Sequence, residues 1–210
     1  LMKRADTAMY QAKSAGRNAF RFFDPTMQAE VTARAALDND LREALREGQF
    51  CLHYQPQVDQ SGRWIGAEAL VRWQHPLRGI VYPVEFIQQT ELTGLILPLG
   101  DWVLESACAQ LLAWASMPEL SHLTVAVNVS ARQFRQPEFV SKVLTIVERT
   151  GADAKMLKLE FAFHYPEQQE AWKTLENDEF MWAIGENYQY VRMEENVEYP
   201  IIEVIHSREE

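Results

Sequence analysis

Hydrophobic positions along the middle of the chain recur with two different periods. A period of two residues predicts strands, and a spacing of three or four residues predicts helices. Apolar or alternating runs predict four strands, at residues 50–58, 64–73, 124–130 and 156–163. Apolar residues three or four apart predict helices between them: one opened by Pro83 and ended by Gly94, one capped by Asp101, and one opened by Pro137 and ended by Gly151. The first two strands are expected to form a hairpin, and the rest to form βαβ units with a parallel sheet.

The two ends of the chain have patterns of their own. Residues 1–15 are predicted to form an amphipathic helix and residues 19–23 a short strand, and because the chain starts directly in a helical pattern we expect its natural beginning to be missing. A polar helix over residues 25–48, with Leu37, Leu41 and Leu45 four residues apart, connects this unit to the sheet. In the tail, a helix is predicted at 168–177 and strands at 180–184, 188–193 and 200–205.

The net charge of −10 is concentrated in the tail. Residues 161–210 hold 12 of the 30 acidic and 3 of the 20 basic residues, so the first 160 residues are almost neutral. A break in composition of this kind indicates a boundary near residue 160. The acidic balance also argues against binding to a nucleic-acid polymer, whose phosphate backbone is held by Lys and Arg.

The cysteines and the hydropathy of the chain limit the cellular locations expected for the protein. Cys51 and Cys108 cannot make a disulfide framework and have no metal-binding or redox spacing, which favours a reducing, cytoplasmic location. No apolar run approaches the roughly 18 residues that a membrane helix needs. The longest, at residues 95–99, is interrupted by Pro98, and the N-terminus shows no secretory signal.

One polar residue falls near the predicted carboxyl end of each of three strands: Glu68, Asn128 and Glu160. The carboxyl ends of parallel strands meet on one side of a sheet or barrel, where two carboxylates and an amide would suit Mg²⁺ or Mn²⁺. Arg72 lies four residues after Glu68, on the same side of its strand, and is placed to meet a phosphate. The alternative, that these residues are a solvated strand edge or loop caps, stays open from the pattern alone.

Several stretches resemble the EAL domain family of phosphodiesterases, which cut the bacterial second messenger cyclic di-GMP. The resemblance begins with Tyr54-Gln55-Pro56 and GAEALVRW at 66–73, and covers roughly residues 42–160. It continues through PVEFI at 83–87, ELTGLI at 91–96, WVL at 102–104, VNVSARQ at 127–133 and LKLE at 157–160. Residues 5–18 are similar to the closing helix and strand of a GGDEF domain, but the GGDEF signature occurs nowhere in the chain, so no cyclase function is implied.

The resemblance implies a fold, a reaction and a set of site residues. EAL enzymes are modified (β/α)₈ TIM-like barrels in which two Mg²⁺ or Mn²⁺ ions activate the water that linearises cyclic di-GMP. By that resemblance Glu68, Asn128 and Glu160 match catalytic metal ligands, and Gln55, Leu70 and Arg72 match substrate-binding positions. The implied layout is a GGDEF remnant (1–24), a connector helix (25–48), half of an EAL domain (49–160) and an acidic α+β tail of unknown family (161–210).

After Glu160 the sequence departs from the family pattern. Phe163 stands where the family has a second carboxylate, and the later Asp-Asp-Phe-Gly and Lys-Ile-Asp motifs do not occur in the chain. A barrel takes roughly 250 residues, so about half a barrel is expected, with an unpaired strand edge that invites aggregation or homo-oligomer formation. Three interpretations of the tail remain open from the sequence: it caps the half-barrel, it is an unrelated fused segment, or it results from a truncation or rearrangement of the gene.

Three functions therefore remain open from the sequence. The first is a cyclic di-GMP phosphodiesterase, impaired because the second half of its site is missing. The second is a non-catalytic module that binds cyclic di-GMP or another protein. The third is a truncated product without independent activity.

Overall fold

The computed structural model describes residues 25–162, 190–193 and 201–205. Its helices are α1 (Pro25–Arg46), α2 (Ile87–Thr93), α3 (Ile96–Ala115), α4 (Ala131–Phe134) and α5 (Phe139–Thr150). Its strands are β1 (Phe50–Val58), β2 (Trp64–His75), β3 (Gly79–Val81), β4 (Thr124–Val129), β5 (Leu157–Ala162), β6 (Tyr190–Met193) and β7 (Ile201–Ile205). Short 3₁₀ helices at Pro83–Glu85 and Ala154–Met156 precede α2 and β5. The elements predicted at 1–15, 19–23, 168–177 and 180–184, and Phe163, lie outside these described residues.

The strands form one open, mixed sheet. β1 and β2 are an antiparallel hairpin, and β3 pairs antiparallel with the far end of β2. At the centre, β2, β4 and β5 run parallel to one another. The structure thus confirms the predicted α/β class, the hairpin and the parallel βαβ units, and an open sheet is what part of a barrel would leave.

The tail contributes backbone pairing to this sheet. β7 pairs antiparallel with β5 and β6 pairs antiparallel with β7, which confirms two of the strands expected in the tail. β5 itself is therefore not an edge of the described sheet, because Glu160 is paired with Glu203 across the β5–β7 ladder. Within the described sheet, the edge on this side is β6.

Helices α3 and α5 cover one face of the sheet. Their apolar residues pack on the alternate positions of β4, Val125, Val127 and Val129, all of which are buried. Tyr54 of β1 packs edge-on against Trp114 of α3 on this same side, and burial raises the pKa of its phenol to about 12. The opposite face of β4 and its neighbours carries the polar positions.

Two details of the helix predictions are wrong. Helix α3 begins at Ile96, so Asp101 does not cap it but lies one turn inside, where its Oδ2 accepts a hydrogen bond of 2.9 Å from Lys142 Nζ of α5. Pro98 does not interrupt the helix, because the amide that proline lacks is not needed in a first turn. In α5 the apolar pattern predicts a buried stripe made of Phe139, Val140, Val143, Leu144 and Val147, but Leu144 is exposed and Ile146 is buried.

Helix α1 packs at the other end of the hairpin, as its leucine spacing predicted. Leu41 and Ala44 are fully buried against Phe50, Trp73 and Phe86. The indole Nε1 of Trp73 donates a 3.0 Å hydrogen bond to Gln49 Oε1, in the turn that joins α1 to β1. Helix α1 is thereby fixed to the strand pair β1–β2, which carries four of the six candidate site residues.

The two remaining sequence features are the hydropathy of the helices and the two cysteines. In the described part of the chain, no helix combines the length and the apolar character needed to span a bilayer. Both cysteines are free thiols. Cys108 is buried between α3 and its neighbours, and burial raises the pKa of its thiol, which keeps it protonated and unreactive.

Candidate functional site

All six residues predicted for the site lie on the face of the sheet away from α3 and α5. Strand register establishes this, because residues paired across a ladder, and residues two apart on a strand, share a face. Gln55 is paired with Glu68, Glu68 with Ala126, and Asn128 with Glu160. The shared face carries Gln55, Glu68, Leu70, Arg72, Asn128 and Glu160.

Glu68 and Asn128 are in direct contact. The Asn128 amide Nδ2 donates to Glu68 Oε1 at 2.5 Å, across the parallel β2–β4 ladder. Glu160 lies next to Asn128 in the register of β4 and β5. The sheet thus brings together three residues from three strands that are far apart in the chain.

Glu68 is not at the end of its strand, contrary to the prediction. β2 continues to His75, because β1 pairs with it as far as Trp73 and β3 pairs with its last three residues, from Trp73 to His75. The parallel ladder between β2 and β4, however, ends at the pair Ala69 and Val127. Glu68 therefore lies at the carboxyl end of the parallel ladder, which is the edge where the site was expected.

The donor set suits a hard divalent cation but is small. Two carboxylates and an amide offer oxygen ligands, and Mg²⁺ commonly takes only one or two protein carboxylates and keeps several waters. A half-turn of the Asn128 side-chain amide would present its oxygen in place of its nitrogen. Among the described residues, no cluster of three or more His, Cys, Asp or Glu side chains could hold a metal. The residues present therefore fit one cation whose remaining ligands are water molecules.

Arg72 presents a cation on the same face of the sheet, four residues after Glu68 on β2. Its Nη1 donates to the carbonyl oxygen of Val71 at 2.8 Å, and its Cζ lies 5.1 Å from the centre of the Tyr82 ring. Its Nε is buried and has no hydrogen-bond partner. A guanidinium has five N–H donors and only one of them is used in the hydrogen bond to Val71, so the terminal Nη groups have donors left for an anion.

A capping box fixes the chain directly after Asn128. Ser130 caps α4: its Oγ accepts from the Gln133 backbone N–H at 3.2 Å, while Gln133 Oε1 accepts from the Ser130 N–H at 3.1 Å. Gln133 is only 5% exposed, and its amide end packs against Gly100 of α3. The end of β4, and with it Asn128, is thereby tied to the helix layer.

Replacing Gly100 with alanine is expected to destabilise the fold by about 1–3 kcal/mol, although alanine is the better helix former. The added Cβ would lie 1.8 Å from Gln133 Nε2 and 2.4 Å from Gln133 Cδ, so the capping box would have to break. Urea unfolding followed by circular dichroism measures the change. In a Gln133→Ala background the same replacement should be neutral or stabilising; equal costs in both backgrounds would show that this contact is not the cause.

Two further residues on the polar face were missed by the sequence analysis. Lys158 lies two residues before Glu160 and is paired with Ala126, so it shares the row of Glu68. Strand alternation applied backwards from Glu160 would have found it. Tyr82 follows β3, and only the β2–β3 pairing, which no motif signals, places it beside Arg72.

The sequence pattern of the EAL domain matches residues 38–181, more than half of the chain and past Glu160. The chain belongs to the EAL domain family. It is 42% identical over 161 residues to MucR of Pseudomonas aeruginosa, a bifunctional diguanylate cyclase/cyclic di-GMP phosphodiesterase, covering 76% of this chain and 23% of MucR. It is 45% identical over 133 residues to the cyclic di-GMP phosphodiesterase PdeR of Escherichia coli, covering 63% of this chain and 20% of PdeR.

Solved EAL structures share the fold. A MucR phosphodiesterase in complex with c-di-GMP is 41% identical and superposes with a TM-score of 0.56, over 58% of this chain and 49% of that one. The EAL domain of Xanthomonas citri FimX, in complex with c-diGMP, is 22% identical with a TM-score of 0.61, over 76% and 60% of the two chains. The fold is thus a partial EAL barrel. The chain spans less than a quarter of the length of the two curated relatives.

Proposed function

We propose that this chain binds cyclic di-GMP on the polar face of its sheet, beside one Mg²⁺ or Mn²⁺ ion, and that it hydrolyses the nucleotide poorly by itself. The observation that carries the proposal is the contact of Glu68 with Asn128 on the same face as Arg72. MucR and PdeR, named as cyclic di-GMP phosphodiesterases, support the choice of nucleotide.

The substrate side of the site consists of Gln55, Leu70 and Arg72. Cyclic di-GMP carries two phosphodiesters, and a guanidinium is the side chain best suited to bind a phosphate through two N–H groups. In Arg72 the N–H groups of Nη1 and Nη2 that the protein does not use are such donors, whereas Nε is buried. Gln55 is exposed on the neighbouring strand and adds an amide that can both donate and accept.

Glu68, Asn128 and Glu160 are proposed to hold the cation. EAL phosphodiesterases generally depend on a divalent metal. A bound ion at this place would polarise a phosphoryl oxygen and lower the pKa of a coordinated water. Glu68 and Glu160 would supply negative charge that holds the ion, and Asn128, with its amide turned, would add its oxygen as the third ligand in place of the hydrogen bond to Glu68.

Poor hydrolysis follows from the number of ligands. A two-metal mechanism stabilises both the attacking and the leaving oxygen of the phosphodiester. Three protein donors suffice for one ion but not for two, and the later family motifs do not occur in the chain. Binding of the nucleotide, which needs mainly the β1–β2 face, is expected to persist where turnover does not.

Replacing Arg72 with alanine is expected to weaken binding of cyclic di-GMP by roughly 10- to 100-fold, because a charge-assisted contact to phosphate is lost. Isothermal titration in the presence of Mg²⁺ or Mn²⁺ measures the affinity. Arg34→Ala is the matched control, since Arg34 is exposed on α1, away from the sheet face, and should leave the affinity unchanged.

The same samples test turnover when the products are separated by chromatography. Binding without accumulation of the linear dinucleotide supports the proposal. A wild-type chain that binds no cyclic di-GMP, with or without metal, contradicts it. Efficient linearisation by the chain alone would contradict the claim that three donors are too few.

A further inference from the structure

The guanidinium of Arg72 is supported by an aromatic ring rather than by a carboxylate. Among the described residues it forms no ion pair, and its Cζ lies 5.1 Å from the centre of the Tyr82 ring. Its Nη1 is turned back to the carbonyl of Val71, its own neighbour in the chain. The ring of Tyr82 is thus the contact that the Arg72 side chain makes with another segment of the described chain.

The backbone places Tyr82 at this position. The β2–β3 ladder pairs Trp73 with Val81, so the next step of the antiparallel register brings Tyr82 beside Arg72 on the same face. Tyr82 is extended, with φ −89° and ψ 155°, and the following Pro83 disfavours a helical conformation there. The placement therefore follows from strand pairing and a proline.

We propose that Tyr82 is a positioning residue for Arg72: its ring supports one face of the guanidinium and so leaves the N–H groups of Nη1 and Nη2 that the protein does not use available to a phosphodiester. Attraction between a cation and an aromatic face holds the two planes together without using any N–H donor. A carboxylate partner would instead occupy the fork that a phosphate needs. The inference rests on the proposed function, because it presumes that Arg72 binds a phosphodiester of cyclic di-GMP.

A packing role alone would not explain this tyrosine. Its side chain is 55% exposed, so it contributes little to the core, whereas Val81 beside it is fully enclosed. The face of the ring is what the proposal requires, and the hydroxyl is not. Phenylalanine should therefore replace Tyr82 without loss, and leucine, which has similar bulk but no aromatic face, should not.

The first test needs no nucleotide. Burial of Arg72 Nε slows exchange of its proton with solvent, so its ¹⁵N–¹H resonance can be followed by NMR and assigned by its disappearance in Arg72→Lys. The ring should shift this proton upfield in the wild type and in Tyr82→Phe, but not in Tyr82→Leu. The same chemical shift in the wild type and Tyr82→Leu would overturn the pairing.

The second test is titration with cyclic di-GMP. Tyr82→Leu should bind roughly two- to fivefold more weakly than the wild type, Tyr82→Phe should bind equally well, and Tyr82→Leu should cost nothing further in an Arg72→Lys background. Equal affinities of Tyr82→Leu and the wild type would overturn the positioning role. A wild type with the shifted resonance but no binding would instead refute the proposed function, so the two failures are distinguishable.

Discussion

Replacing Glu68 with glutamine is expected to reduce the affinity of the chain for Mn²⁺ by at least about 100-fold. Loss of a residue that only orients a metal ligand typically costs 10- to 100-fold, and loss of a charged ligand should cost no less. Glutamine keeps the size of the side chain and can still meet Asn128, so the β2–β4 contact is preserved while one of two carboxylates is removed. Electron paramagnetic resonance of free and bound Mn²⁺ measures the affinity directly.

The control for this experiment is another glutamate changed in the same way. Glu119 is exposed in the segment between α3 and β4, away from the polar face, and Glu119→Gln removes the same charge. It should leave Mn²⁺ affinity unchanged. Equal losses in both variants would mean that Mn²⁺ is held by the general negative charge of the protein, and the proposed site would be wrong.

The sequence predicted well which residues share a face of the sheet, where strand alternation alone decides it. Glu68, Leu70 and Arg72 share a face because they are two residues apart on one strand, whatever that strand pairs with. Asn128 and Glu160 followed from the rule that parallel strands end at one edge of the sheet. Their role as a site, rather than as a solvated strand edge, was implied only by the family resemblance and stays a prediction.

Features that depend on pairing between distant segments could not be predicted in this way. The length of β2 beyond Glu68 is decided by β1 and β3 together, and the place of Tyr82 by the register of β3. The start of α3 was missed because Pro98 and Asp101 look like a break and a cap, while the packed helix tolerates both in its first turns. At this helix, tertiary packing rather than the local sequence signals determines where the helix begins.

The tail is the clearest limit of sequence reasoning in this chain. Its composition marks a boundary near residue 160, yet β7 adds to the sheet directly beside Glu160, with Glu203 opposite. A strand edge offers unpaired backbone groups to any neighbouring extended segment, so pairing there needs no family signature. Residues 201–205 are four β-branched apolar residues and one glutamate, a composition that favours such pairing.

Replacing Trp73 with alanine is expected to destabilise the fold by about 3–5 kcal/mol, which is close to the whole stability of many domains of this size. The Trp73 side chain is 1% exposed and lies between the rings of Phe50 and Phe86, at 6.1 and 6.0 Å between ring centroids. Its indole also holds Gln49, where α1 meets the sheet. Chemical unfolding monitored by far-ultraviolet circular dichroism measures the loss.

Trp64 provides the matched control for this prediction, because it is the same residue type on the same strand but is 55% exposed. Trp64→Ala should cost less than about 1 kcal/mol, since surface substitutions rarely cost more. Trp73→Phe should recover part of the loss by refilling most of the volume. If Trp64→Ala and Trp73→Ala cost the same, the cluster around α1 does not stabilise β2, and the support we assign to the strand that carries Glu68 and Arg72 must come from β4 and the helices behind it.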